Sequence, residues 1–151
     1  PFTLKANYNG DMPAQDIPSA ICLELSHLKG FMREDEANFI AYLACRASDS
    51  AAFRYSGAML AWIYSGNALY EQAPQSFREV RSELCEQAVR DLEDHNAYWN
   101  SFEGTAAEVA DKINDTYLRA NAQDDGTRSY GRMVDLLLAW KRESGAENGT
   151  D

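Results

Sequence analysis

The sequence predicts an all-α fold, a single domain of about six helices. Three observations carry this. Apolar residues recur every three to four positions along most of the chain. No stretch keeps a strand's two-residue alternation for long, and the breaks between periodic segments fall on glycine, proline and cap-forming residues. The 151 residues suffice for one core, and 45% hydrophobic with 25% charged residues is a globular composition. No internal repeat appears. The domain is expected over residues 1–143, with a flexible tail over 144–151.

Residues 1–16 hold Asn7, Asn9, Gly10, Asp11 and Pro13, turn chemistry that predicts an irregular or extended lead-in. From about Ile17 the spacing of Ile21, Leu25 and Leu28 is helical, with Pro18 acceptable in a first turn and Gly30 offering a stop. A second helix is expected from about Arg33 to Arg46. The acids Glu34, Asp35 and Glu36 open it, and Phe39, Ile40, Leu43 and Ala44 form its stripe. Ser48-Asp49-Ser50 is a cap-rich break. The third helix, roughly Ala52 to Tyr70, is apolar on most sides and belongs at the centre. Pro74 starts a fourth, predicted to run unbroken to about Trp99 on the stripe Phe77, Val80, Leu84, Ala88, Leu92, His95 and Trp99. Thr105 and Glu108 form a capping box for a fifth helix to about Ala120. After the turn Asp124-Asp125-Gly126, a last helix from about Ser129 to Arg142 carries Met133, Val134, Leu137 and Trp140.

The net charge is −10, from 24 acidic and 14 basic residues, and the acids are scattered over helical stretches. Such a chain lacks the clustered basic surface of a phosphate-backbone binder, so no nucleic-acid partner is expected. An acidic DNA mimic ranks low, because scattered acids are solvated faces. No apolar run approaches the ~20 residues of a membrane span, and no secretory signal pattern is present. Because Pro1 stands first, we expect a fragment or a processed product, with any membrane attachment in segments outside this chain. Cys22, Cys45 and Cys85 make no C-x-x-C pair and read as small buried hydrophobes. His95, inside an apolar stripe, reads as a satisfied interior or boundary histidine. Trp62, Tyr64, Trp99 and Trp140 read as core.

The segment nearest to chemistry is Cys22-Leu23-Glu24-Leu25-Ser26-His27. In the zinc-peptidase motif H-E-x-x-H, two histidines four residues apart grip the metal from one helical face, and the glutamate beside the first takes a proton from the metal-bound water. Here Glu24 and His27 keep the register and position 23 is leucine. Alone, E-x-x-H arises easily by chance, and an ordinary helix with a solvated glutamate explains it better. The acids Glu34, Asp35 and Glu36 follow after the turn at Gly30-Phe31. A third ligand on a helix folded back is feasible there, and so is simple complementation of a helix N-terminus.

The run Pro1-Phe2-Thr3, Asn7, Asn9, Asp11-Met12-Pro13, then Cys22 to His27, Gly30-Phe31 and Arg33 through Cys45 resembles a bacterial integral-membrane, zincin-like family (domain of unknown function 3810). Its members carry C-H-E-L-x-H where this chain reads Cys22-Leu23-Glu24-Leu25-Ser26-His27. Further similar blocks are Phe53 to Gly57, Ile113 to Leu118 and Ser129 to Asp135, so the likeness spans nearly the whole chain.

The resemblance implies a zinc metallopeptidase-like site on a helical domain, tethered to a bacterial membrane by N-terminal segments of the full protein. It carries over His27 and Glu36 as metal ligands and Glu24 as general base. An E-A-N-x-F-A pattern in other metallopeptidases supports Glu36 over Glu34. Asn38, Asn114, Asp115, Tyr130 and Arg132 are candidates for substrate or supporting contacts; packing and surface polarity explain most of them as well. Leu23 stands where the family has its first histidine. Losing one of three protein ligands should cost several kcal/mol, roughly a thousandfold in affinity or more. We therefore expect weak or absent zinc and a weakly active or inactive peptidase. The alternative is a pseudopeptidase that binds a peptide or protein partner without cutting it. Substrate and membrane side are not legible.

Overall fold

Helix α1, Ile17–Leu28, starts behind Asp16 with Pro18 in its first turn, where the missing N–H costs nothing. It stops at Gly30, whose φ of 100° admits glycine readily. There the Gly30 N–H donates to the His27 carbonyl and the Phe31 N–H to that of Ser26, satisfying groups that a helix end leaves orphaned. The chain is thus turned back within a few residues into α2, Glu34–Ala47. Ser48 and Ser50 form the next break, the Ser50 N–H donating to Ser48 Oγ, and α3 follows over Ala51–Gln72.

The computed structural model describes residues 8–101 and 128–147, with six helices and no strand among them. Helix α4 covers Pro74–Ser82, α5 residues 86–101, and α6 Arg128–Glu147. α1 packs on α2 and α3, which pack on each other and both meet α6, while α4 lies on α3. The all-α prediction holds, and α3 is central as expected, with α2 sharing the role. No described helix is long and apolar enough to cross a membrane.

Small residues set the spacing at the centre. Ala37, Ala41 and Cys45 of α2 are wholly buried, and a Cβ on Gly57 of α3 would stand 2.6 Å from Cys45 Cβ. That glycine is required by close approach of two helices. Cys22, Ala41 and Cys45 form one core cluster, with Leu23, Phe53 and Leu60 packed against it. Met59, Ala88 and Leu92 form a second, joined by Tyr55, Trp62, Ile63 and Leu84.

Four expectations need correction. The helix predicted from Pro74 to Trp99 is two helices, broken over residues 83–85. Ser82 Oγ donates to the Glu79 carbonyl in the last turn of α4, and the break turns Leu84 onto the second core cluster while Val80 stays exposed. A single straight stripe would have had to bury both. Cys85, at that break, is exposed, unlike Cys22 and Cys45. Trp99 is 48% exposed: the buried face of α5 runs through Ala88 and Leu92 and has left the core by that residue. Finally, α6 continues past Arg142 to Glu147, with Ser144 Oγ donating to the Trp140 carbonyl, so helix occupies the start of the predicted tail. The helix predicted over 105–120 lies outside the described residues.

Candidate functional site

The turn after α1 brings its last turn against the first turn of α2. His27 Nδ1 lies 2.8 Å from the Phe31 carbonyl oxygen, and Nε2 lies 3.2 Å from Glu34 Oε1. A carbonyl has no hydrogen to give, so Nδ1 carries one and donates. That leaves the other ring nitrogen facing a carboxylate. Asn38, buried one turn along α2, donates to the Glu34 carbonyl at 2.7 Å and reaches its Oε2 at 3.5 Å. The carboxylate is therefore steadied from within its own helix.

Glu36 is not in this group. It pairs with Arg33 Nε at 3.4 Å and is about half exposed. The reason is helical geometry: two residues on from Glu34 is about 200° around the axis. Glu34, Asn38, Ala41 and Cys45 recur at the spacing of one face, and the last three are buried. The face arithmetic was available in the sequence and favours Glu34; a short-pattern likeness had favoured Glu36.

Leu23 sits one turn before His27 on the same face of α1 and packs against the Cys22–Ala41–Cys45 cluster. Glu24, half-buried, is about 100° around the helix from Leu23. Among the described residues, no three histidine, cysteine, aspartate or glutamate side chains stand together as a metal would need. At the turn before His27, Leu23 offers hydrocarbon and no donor atom.

Arg132 is half-buried on α6, which packs on α2 and α3. Tyr130 lies in the first turn of that helix. Asn114 and Asp115 fall outside the described residues.

The polar edge of α2's first turn is held separately. Arg33 donates from Nε and an Nη to the two oxygens of buried Asp35, at 3.2 and 2.6 Å. Burial pushes the Asp35 carboxyl upward. The Arg33 hydrogen bond and charge, with the N–H groups of Glu36 and Asp35, outweigh it and hold the group below its ordinary value.

Residues 1–138 match the model of a family described as a protein of unknown function (DUF3810). The chain is a DUF3810 domain. No curated protein and no solved structure matches it.

A second polar assembly in this DUF3810 chain was not foreseen as one. Asp16 Oδ2 lies 2.7 Å from His95 Nδ1, both largely buried. One turn back on α5, Asp91 accepts from the Tyr55 hydroxyl at 2.5 Å and from Gln87 Nε2 at 2.8 Å, and its carbonyl accepts from Gln15 Nε2 at 2.9 Å. Burial and the Asp91 carboxylate push the Tyr55 phenol well above its ordinary value. Asn9 Nδ2 donates to the Tyr98 hydroxyl at 2.8 Å. The lead-in is therefore pinned along α5. His95 is satisfied, as its place in an apolar stripe predicted.

Proposed function

We propose that this domain is a metallopeptidase-like domain of a bacterial membrane protein, impaired in metal binding and catalysis by Leu23. One observation carries the reading: His27 Nε2 and Glu34 Oε1 face each other at 3.2 Å beside Leu23's helical turn. Two ligand atoms on a tetrahedral zinc stand about 3.3 Å apart, given metal–ligand lengths near 2.0–2.1 Å. The Phe31 carbonyl orients the ring so that Nε2, rather than Nδ1, is the free donor, the usual arrangement behind a ligating imidazole. Glu34 takes the ligand role first given to Glu36, and Glu24 keeps the position of the base. As the chain stands, the third donor is lacking and no catalytic step is derived through a metal.

Restoring it is the test. Leu23→His should raise zinc bound per purified chain, with affinity roughly a thousandfold tighter than that of the native sequence. In that background Glu34→Gln should abolish the gain and Glu36→Gln should leave it. If Leu23→His folds and gains no zinc, the reading fails; if Glu36 rather than Glu34 is needed, the site has been assigned to the wrong face of α2.

A second reading, a non-cutting pseudopeptidase that binds a peptide or protein, is favoured by what surrounds the pair. Leu25, Leu28, Phe31 and Met32 are exposed around this turn, Met32 to 61%. Peptide retained by metal-free native protein, with no cleavage after Leu23→His, would select this reading over the first.

A further inference from the structure

We infer that Cys22 and Cys45 are a latent disulfide pair, a covalent link between α1 and α2 that forms when the domain meets a small-molecule disulfide. Both cysteines are buried members of one three-residue core cluster. They stand on different helices that pack directly on each other. Ala41, the remaining buried member of the cluster, contributes only a methyl group, while Leu23, Phe53 and Leu60 pack against the cluster. Cys85 is exposed at the α4–α5 break and serves as an internal reference for an accessible thiol.

The chemistry balances with the oxidant named. Cys22, the less completely buried of the two, loses its proton to solvent and attacks one sulfur of the small disulfide, expelling the first thiolate. Cys45, deprotonated in turn, attacks the Cys22 sulfur of the mixed disulfide. The Cys22–Cys45 bond forms, and the second small thiolate leaves. Two protein thiols are oxidised, one small disulfide is reduced to two thiols, and the two protons end on the departing thiolates.

Burial, with the neighbouring Cys22 thiol, pushes the Cys45 thiol up to about 12. Thiolate is the attacking species, so the pair is slow to react while α1 is seated and reacts when α1 lifts. The link would fix α1, which carries Leu23 and His27, to α2, which carries Glu34. It does not depend on the proposed function.

The test uses the full chain with Cys85→Ser, so that the exposed thiol cannot exchange. The protein is incubated with oxidised glutathione at mildly alkaline pH, with and without a low concentration of urea. It is then trapped with N-ethylmaleimide, and its mass is measured without reduction. The expected product has lost two hydrogens, takes up no maleimide and carries no glutathione. Its tryptic digest joins the peptides spanning 6–29 and 34–46. Subdenaturing urea should speed its appearance several-fold.

Adding Cys45→Ser should leave glutathione on Cys22, which shows attack without resolution. Two outcomes overturn the pair: a glutathione adduct that persists on Cys22 when Cys45 is present, or two thiols still open to maleimide after unfolding in the oxidant. Because the readout is the mass of the native-sequence pair, it does not depend on the folding of any Cys22 or Cys45 variant.

Discussion

The two ends of α1 use the same kinds of side chain for different ends. At its C-terminal end, His27 and Glu34 meet at 3.2 Å with side chains 24% and 49% exposed. At its N-terminal end, His95 and Asp16 meet at 2.7 Å with side chains 19% and 11% exposed. Around the second pair polar groups are answered by other elements: Tyr55 by Asp91, Gln15 by the Asp91 carbonyl, and the Ser19 N–H by Ser56 Oγ, with Gln87 reaching Asp91 from one turn away on α5. The first pair involves only the α1–α2 corner. A histidine–carboxylate contact is thus a clamp where its neighbours need it for satisfaction. Where little else leans on it, its loss should cost the fold little.

The widest separation between the two ends should come from Asp91→Ala. It leaves the half-buried Tyr55 hydroxyl without its acceptor, and should lower unfolding free energy by about 2 kcal/mol. Urea denaturation measures this directly. A loss within experimental scatter would mean that the α5 end is no more a clamp than the turn is.

Ser56→Ala follows, at about 1–2 kcal/mol. Asp16 precedes α1 yet makes no side-chain cap, because its carboxylate goes to His95. The orphaned Ser19 N–H is served instead from α3, by buried Ser56 at 3.0 Å. Removing that oxygen strands a buried donor, and hydrogen exchange in the first turn of α1 should quicken with the loss of stability. Unchanged exchange there would show that α1 does not depend on α3 for its cap.

That borrowed cap also explains what the sequence disclosed. Helices α1, α2 and α3 were legible to within a residue or two, because Pro18, Gly30, the acids at 34–36 and the serines at 48 and 50 act locally. The break at residues 83–85 was not, since Leu84 turns inward for a cluster on α3 that no local pattern reveals. At the site, His27 was read as a metal ligand together with Glu36; the side chain it faces is Glu34, which was passed over although its helical face held Asn38, Ala41 and Cys45. The partnership of Asp16 with His95 spans 79 positions, and no spacing rule reaches that far.

A third, smaller contrast is in acid. Asp35 is held below its ordinary value of 3.8, so the folded state binds its proton less readily than the unfolded state. Its contribution is complete above that value and is lost as pH falls through the lower folded one. Arg33→Ala removes the main group holding it down and leaves burial dominant. The acid limb of the stability curve should then begin at higher pH, with up to about 1 kcal/mol lost at neutrality, since the guanidinium is half exposed. An acid limb that does not move would show that the helix N–H groups alone hold the carboxylate.

Glu34→Gln should be the mildest change, within about 0.5 kcal/mol, as for other largely exposed ion pairs. Asn38 keeps its bond to the backbone carbonyl at position 34, so the first turn of α2 retains its internal support. Near-neutrality in the native sequence is what makes the zinc comparison in the Leu23→His background readable, because a lost metal could not then be blamed on a lost fold. A cost of 2 kcal/mol or more would put the His27–Glu34 contact in the same class as the Asp91 clamp. The carboxylate would then be committed to holding the turn together, and the case for a ligand site at this corner would be gone.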